Sequence, residues 1–341
     1  MPVPSSYGAP YPPSPAVSGL VERDLLLTKS RSVAFLEAVE YLRLYARHRE
    51  PIVIEGESGT GKSVLARHVH EWSPRAKREL TAVSLATVPK SLAASALFGH
   101  VPGAYTSAEY SRDGYFCAAN NGTLFLDELG RSTLALQRNL LEVVETGRLR
   151  PVGSDTEVLV DVRLIFATSV PMKELVAKGR LLLEIYARIR TLTVRLPALR
   201  ERPEDIPDLA ELFLARHAVS HGYSEAPVFA REVFGALCRA EWPLNVRELE
   251  SAIVALVIHA HPARKITLQH FKGEFLQQVL TSAGRKRKRR SSEEVRRVFY
   301  AVNRNVTRTA EILGVNPPTV RSHLKRSGNM HIEREPTPRS G

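Results

Sequence analysis

An α/β fold with a mostly parallel sheet, a helical lid and a small all-α unit behind it is what this sequence predicts. Three observations carry that prediction. Short apolar runs alternate with helical patterns from Leu26 to about Thr267, as crossover-connected parallel strands require. A glycine-rich turn ending in Gly61-Lys62-Ser63 stands between the first apolar run and the first helical stretch. Beyond residue 290, capping residues and breakers recur at the spacing of three short helices.

Taken in order, residues 1–22 are rich in Pro, Ser and Gly without apolar periodicity and read as a disordered tail. Residues 23–204 form the expected α/β unit, with buried strands at Pro51–Glu55, Leu80–Leu85, Thr123–Leu126 and Val162–Ala167. Leu134–Glu145 is an expected helix with Leu136, Leu140, Leu141 and Val144 on one face. Residues 205–280 are largely helical and are expected to close the unit as a lid. Residues 281–290 read as a linker containing the basic run Arg285 to Arg290. In 291–330, Ser291 and Glu294 make a capping box, and Val295, Val298, Phe299 and Val302 an apolar stripe. Thr307 is expected to cap a second helix carrying Ala310 and Leu313, and Gly314 to break it. Asn316 then caps a third helix whose first turn holds Pro317 and Pro318, where a missing N–H does least harm. Residues 331–341 read as a second tail.

Composition narrows the function classes. Hydrophobic residues at 43% and charged residues at 25% permit an ordinary globular core, and a net charge of +12 favours polyanionic partners, nucleic acid first. The only cysteines, Cys117 and Cys238, have no metal-ligand spacing, which argues against a disulfide framework or zinc site and fits a reducing cytosol. No apolar run approaches the roughly 18 residues of a membrane span, and the N-terminus lacks the basic start and apolar stretch of a signal peptide. A cytoplasmic protein is expected.

Gly56-Glu57-Ser58-Gly59-Thr60-Gly61-Lys62-Ser63 is the G-x-x-x-x-G-K-[ST] pattern in its required strand-to-helix context. Its glycines let backbone N–H groups curl around phosphate, and the following helix turns its positive end to the same anion. Lys62 is expected to reach the β- and γ-phosphates and the Ser63 hydroxyl to bind Mg²⁺. Gly122-Thr123-Leu124-Phe125-Leu126-Asp127-Glu128 is an apolar strand ending in two acids. Asp127 is expected to hold the Mg²⁺ and Glu128 to orient or deprotonate the attacking water. The implied chemistry is hydrolysis of a nucleoside triphosphate.

With these motifs in place, the chain resembles the AAA+ domain of sigma-54-dependent transcriptional activators of NtrC type, from about Leu26 to Phe275. The most specific match is Leu97 to Ala108, containing Gly103-Ala104-Tyr105-Thr106-Ser107-Ala108 where the family carries GAFTGA, the loop that contacts sigma-54. Ser107 in place of glycine is expected to stiffen the loop if that position needs positive φ. Arg195 to Pro207 resembles the family's RLPPLRERxEDIP, and Trp242 to Glu250 its WPGNVRELEN. The resemblance implies that Arg247 is the sensor II arginine, that Thr168 and Ser169 stand at sensor I, and that Arg188 reaches into a neighbouring subunit's nucleotide. It also implies ATP as substrate and a homo-oligomer, from dimer to hexameric ring. Two departures bear on rate. Ser84 stands where the family has the Asn that couples the catalytic glutamate to the remodelling loop, and Leu182 stands where it has a second arginine.

Asn305 to Lys325 resembles the Fis-type helix-turn-helix of many such activators. Val320 and Leu324 are expected to face the core, leaving Thr319, Arg321, Ser322 and Lys325 for the major groove of DNA and Arg308 and Arg326 for phosphate. The function expected is an ATP-dependent, sequence-specific activator of sigma-54 RNA polymerase. The alternative is a DNA-bound regulator that binds ATP for assembly and hydrolyses it poorly. The residues before the ATPase are too few for a receiver domain, so no phosphorylation switch in cis is expected.

Overall fold

The computed structural model describes residues 30–105, 108–284 and 292–326. Helix α1 (Val33–Tyr45) leads into β1 (Ile52–Glu55), and the glycine-rich turn into α2 (Lys62–Glu71). There follow β2 (Leu80–Ser84), α3 (Ala93–Phe98), α4 (Tyr115–Ala118), β3 (Thr123–Asp127) and α5 (Leu134–Thr146). A small antiparallel pair, β4 (Arg148–Leu149) and β5 (Val158–Leu159), precedes β6 (Arg163–Thr168), α6 (Met172–Ala177), α7 (Leu183–Ile189) and β7 (Leu192–Arg195).

The five longer strands form a parallel sheet in the order β2-β3-β6-β1-β7. β1, β3 and β6 are buried along nearly their whole length, which is why they appear in the sequence as continuous apolar runs. One face packs on α1 and α2 through Phe35, Leu42, Leu65 and Val69; the other packs on α3 to α7 through Phe98, Phe116, Leu140 and Ile185. Register sets Ser84 beside Asp127, and Glu55 between Thr168 and Arg195. The carboxyl ends of all five strands therefore share one edge, where ligands bind in open α/β sheets.

β7 lies outside the expected strands. It follows α7 after Arg190 and Thr191 and is four residues long, so its signal merges with the helical pattern before it. The α5 stripe also differs. Leu136, Gln137, Leu140 and Val143 are its buried residues, while Leu141 and Val144 are half-buried at its flank. Gln137 belongs there because its amide serves backbone groups of Ser132, Arg180 and Leu182.

The lid comprises α8 (Ile206–Ser220), β8 (Val228–Phe229), α9 (Arg231–Arg239), α10 (Asn245–Ala260), β9 (Lys265–Ile266) and α11 (Gly273–Gly284). α11 runs past the boundary expected at 280, because Thr281 and Ser282 bond back to the carbonyls of Gln277 and Val279 rather than ending the helix. Three more helices follow, α12 (Ser292–Ala301), α13 (Val306–Leu313) and α14 (Pro317–Arg326). Asn305, not Thr307, caps α13, its side chain accepting from Arg308 N at 2.8 Å. Gly314, at φ +63°, ends that helix. Val295, Val298, Val302, Val320 and Leu324 are buried, in one apolar core continuous with the lid. Both tails, the basic run 285–290 and Ser291 of the expected capping box lie outside the described residues. No described helix is long and apolar enough to cross a membrane.

Candidate nucleotide-binding site

A cavity of about 640 Å³ opens between the sheet's carboxyl edge and the lid, lined by Ser58 to Leu65, Ser84, Asp127 and Glu128 on one side and by α8 and α10 on the other. The turn that forms its floor depends on two glycines. Gly61 sits at φ +106° as the N-cap of α2, directing that helix's free N–H groups into the cavity. Gly59 sits at φ +77°, and a Cβ there would lie 2.1 Å from the Leu244 carbonyl oxygen. The lid packs against bare backbone at this point.

Lys62 is buried, and its ammonium donates to the carbonyls of Gly56 at 2.7 Å and Glu57 at 3.1 Å. Burial pushes its pKa down, opposed by the charges of Glu128 and Asp127. Burial pushes the Asp127 carboxyl up, against the pull of Lys62 and a hydrogen bond from Ser63. A half-buried carboxylate incompletely neutralised and touching the Ser63 hydroxyl suits a hard divalent cation. Mg²⁺ is commonly held by one or two such groups, with substrate phosphates and water supplying the other ligands. Ser63 and Asp127 fit that donor set.

Glu128 sits at φ +57° and accepts a hydrogen bond from Ser169 Oγ at 2.7 Å. Thr168 is turned away: it is buried, its hydroxyl donates to the Val170 carbonyl, and it does not line the cavity. Of the two residues expected at that strand end, Ser169 is the one that meets the acid. Ser84 lines the cavity too, beside Asp127 in the sheet register.

Gly56 and Glu57, expected to contact nucleotide, do not line the cavity. The Glu57 carboxylate is committed to Arg200 through two bonds of 2.6 and 2.5 Å, which hold its pKa down. Arg247 does line the cavity, with Nη1 3.4 Å from Ser58 Oγ.

Two residues that the sequence motifs contain, but to which no role was assigned, join lid to turn. Asn245 is fully buried at φ +54°; its Oδ1 accepts from Leu199 N at 2.7 Å and its Nδ2 donates to Ser58 O at 2.9 Å. Arg202 is buried over the Phe35 ring and donates to Thr60 O at 3.1 Å. Asp205, 3.6 Å from Arg202, accepts from Ser30 and from the backbone of Arg31 and Ser32, fixing the start of α1. Asn245 lies within the quoted Trp242–Glu250 motif, and its neighbours Trp242 and Pro243 mark a turn. Arg202 lies within the Arg195 to Pro207 match, where nothing local marks it as a contact to the turn.

The remaining expected residues stand elsewhere. Arg188 is exposed on α7, away from this cavity. Leu182 is half-buried at the start of that helix, its N–H held by Gln137 Oε1 at 2.8 Å. Arg180 precedes that helix, and its guanidinium donates to the Gly130 carbonyl.

In the 103–108 loop, Gly103 N donates to Ala108 O and Ala108 N to Tyr105 O. Tyr105 folds back, half-buried, with its hydroxyl 3.5 Å from His100 Nε2. Thr106 and Ser107 lie outside the described residues. On α14, Thr319, Arg321, Ser322 and Lys325 are all exposed, as is Arg308 on α13.

Residues 28–195 match the family described as the sigma-54 interaction domain, and residues 200–288 that of the AAA+ ATPase lid domain. Among curated proteins, the chain is 45% identical over 202 residues to the anaerobic nitric oxide reductase transcription regulator NorR of Aeromonas salmonicida, covering 59% of this chain and 40% of that protein. It is 41% identical to the DNA-binding transcriptional regulator NtrC of Escherichia coli K12, covering 68% and 49%. It is 35% identical to the transcriptional regulatory protein GlrR of the same strain, covering 86% and 66%. The chain thus spans less than two thirds of the length of each of these relatives. Crystal structures of NtrX from Brucella abortus are similar in fold. The ADP complex has a TM-score of 0.69 at 25% identity, covering 87% of this chain and 69% of that one. The ATP complex has 0.65 at 26%, covering 88% and 69%.

Proposed function

Residues 28–195 and 200–288 of this chain belong to the sigma-54 interaction domain and AAA+ lid families, and from that premise we propose an ATP-dependent, sequence-specific DNA-binding activator of sigma-54 RNA polymerase. One observation carries the reading: a single cavity unites the phosphate-binding turn, the Asp127–Glu128 pair and the lid arginine Arg247. In phosphoryl transfer the protein's contribution is positioning and charge stabilisation. Lys62 and the free N–H groups of α2 bind the phosphates, Ser63 and Asp127 hold Mg²⁺, and Glu128 orients water. Mg²⁺ when bound neutralises charge developing on the phosphates.

Arg247 and Asn245 tie the position of the lid to the turn that senses the nucleotide. The exposed Arg188 acts in the neighbouring subunit of a ring, up to a hexamer. The segment 103–108 is the sigma-54 contact, and α14 reads the major groove through Thr319, Arg321, Ser322 and Lys325. Direct ATP binding by the purified protein tests the site. Lys62→Ala removes the phosphate-facing ammonium and abolishes Mg-ATP binding with the fold intact; unchanged affinity in a folded variant would refute the assignment.

A second reading is favoured by Leu182. With that position apolar and packed against the core on that face of the sheet, one arginine rather than two reaches the neighbouring site. The protein then binds ATP to assemble on DNA and hydrolyses it slowly. Steady-state ATPase across protein concentration separates the two readings.

A further inference from the structure

The nucleotide cavity extends well beyond the phosphate-binding turn. One face of α8 lines it through Asp208, Leu209, Leu212, Phe213 and Arg216, and α10 lines it through Val246, Arg247 and Glu250. Leu209, Leu212 and Phe213, with Phe35 opposite, make the apolar portion that suits a base. Arg247 lies against Ser58 of the turn, and Glu250 follows it one helical turn on, a rise of roughly 4.5 Å. The chemical unit next to the phosphates in a nucleoside triphosphate is the ribose.

Glu250 is a carboxylate with one oxygen anchored and one open. Its Oε1 accepts from Arg216 Nη1 at 2.9 Å and from His217 Nε2 at 3.0 Å, which fixes the group across the gap between α8 and α10. Its Oε2 accepts no hydrogen bond among the described residues, and the side chain keeps a relative exposure of 33% where it borders the cavity. A carboxylate repels phosphate, so the partners available to Oε2 are donors, and a ribose diol supplies two.

We propose that Glu250, positioned by Arg216 and His217, accepts hydrogen bonds from the ribose hydroxyls of the bound nucleotide, so that the site prefers ribonucleotides to deoxyribonucleotides. The inference rests on the nucleotide-binding reading above and names its sugar subsite. A site built to bond a hydroxyl rejects the analogue lacking it, because the polar group is left unpaired.

Titration calorimetry of the full chain with Mg-ATP, Mg-2′-deoxy-ATP and Mg-3′-deoxy-ATP tests it. At least one deoxy analogue binds the parent about tenfold or more weakly than ATP. Glu250→Ala brings that ratio close to one, and Glu250→Gln, which keeps a neutral acceptor, gives a ratio between the two. A lid ion pair with only a structural role would weaken all three ligands alike and leave the ratio unchanged. Equal binding of all three by the parent overturns the inference while leaving nucleotide binding intact. Absence of ATP binding by the parent overturns both. A preference that survives in Glu250→Ala overturns the assignment to this residue.

Discussion

Replacing Asn245 by alanine tests how the lid is fastened to the phosphate-binding turn. The side chain is fully buried and spans Leu199 N, Ser58 O and Glu57 Oε2, at 2.7, 2.9 and 3.2 Å. Truncation leaves the buried Leu199 N–H without its acceptor, at a cost of about 1–3 kcal/mol. It also places alanine at φ +54°, where an L-residue without asparagine's local compensation costs roughly 1 kcal/mol more. The expected loss is therefore about 2–4 kcal/mol, with ATP affinity reduced because Ser58 and Glu57 lose their clamp. Asn245→Gly loses the same bonds without the backbone penalty and is expected to recover about 1 kcal/mol of the loss. Urea unfolding followed by fluorescence suits the measurement, since the chain has two tryptophans and a Trp72→Phe background leaves the buried lid residue Trp242 as reporter. Asn245→Ala within about 0.5 kcal/mol of that background, with unchanged ATP binding, would refute the clamp.

Three further outcomes are expected. Burial raises the Asp127 pKa against the opposing pull of Lys62, so between the ordinary carboxyl value and the raised one the folded nucleotide-free protein binds more of a proton here than the unfolded chain does. The stability this group contributes is full below the ordinary carboxyl value and is lost as pH rises through the raised one. Mg-ATP binding, which needs the carboxylate, weakens as pH falls through the same range. Asp127→Asn accordingly raises nucleotide-free thermal stability at pH values above the raised carboxyl value and flattens the pH profile through the range where the parent's carboxyl titrates; melting curves between acid and neutral pH that match the parent's would contradict this. Arg321→Ala costs on the order of 1–3 kcal/mol at one base position if the contact is bidentate, whereas neutralising Arg285 to Arg290 lowers the salt slope with preference retained. Binding titrations on matched and mismatched sites at several salt concentrations distinguish the two, and uniform weakening by both changes would remove α14 as the reading helix. Leu182→Arg is expected to raise the ATPase rate only at concentrations where the ring assembles; a variant that assembles and hydrolyses no faster than the parent would exclude the missing-arginine account.

The sequence by itself determined the parts whose geometry is local. The turn from Gly56 to Ser63 and the strand ending in Asp127 and Glu128 were legible because contiguous residues dictate them: glycines that tolerate positive φ, a helix start, an apolar run closing on two acids. Four of the five sheet strands and the apolar stripes of α12 and α14 were legible for the same reason, since burial imposes a period on neighbouring residues. Tertiary structure decided how the pieces meet. The contacts by which Asn245 and Arg202 reach the turn join residues more than 140 positions apart along the chain. Glu57 faces Arg200 rather than the cavity because that arginine arrives from beyond the last sheet strand. Gln137 took a core position because Arg180 and Leu182 bring backbone groups that an apolar side chain would leave unsatisfied. Periodicity records which face is buried, but it is blind to what lies opposite. The lid is held by single polar contacts between distant segments, and only the folded chain places those partners within reach.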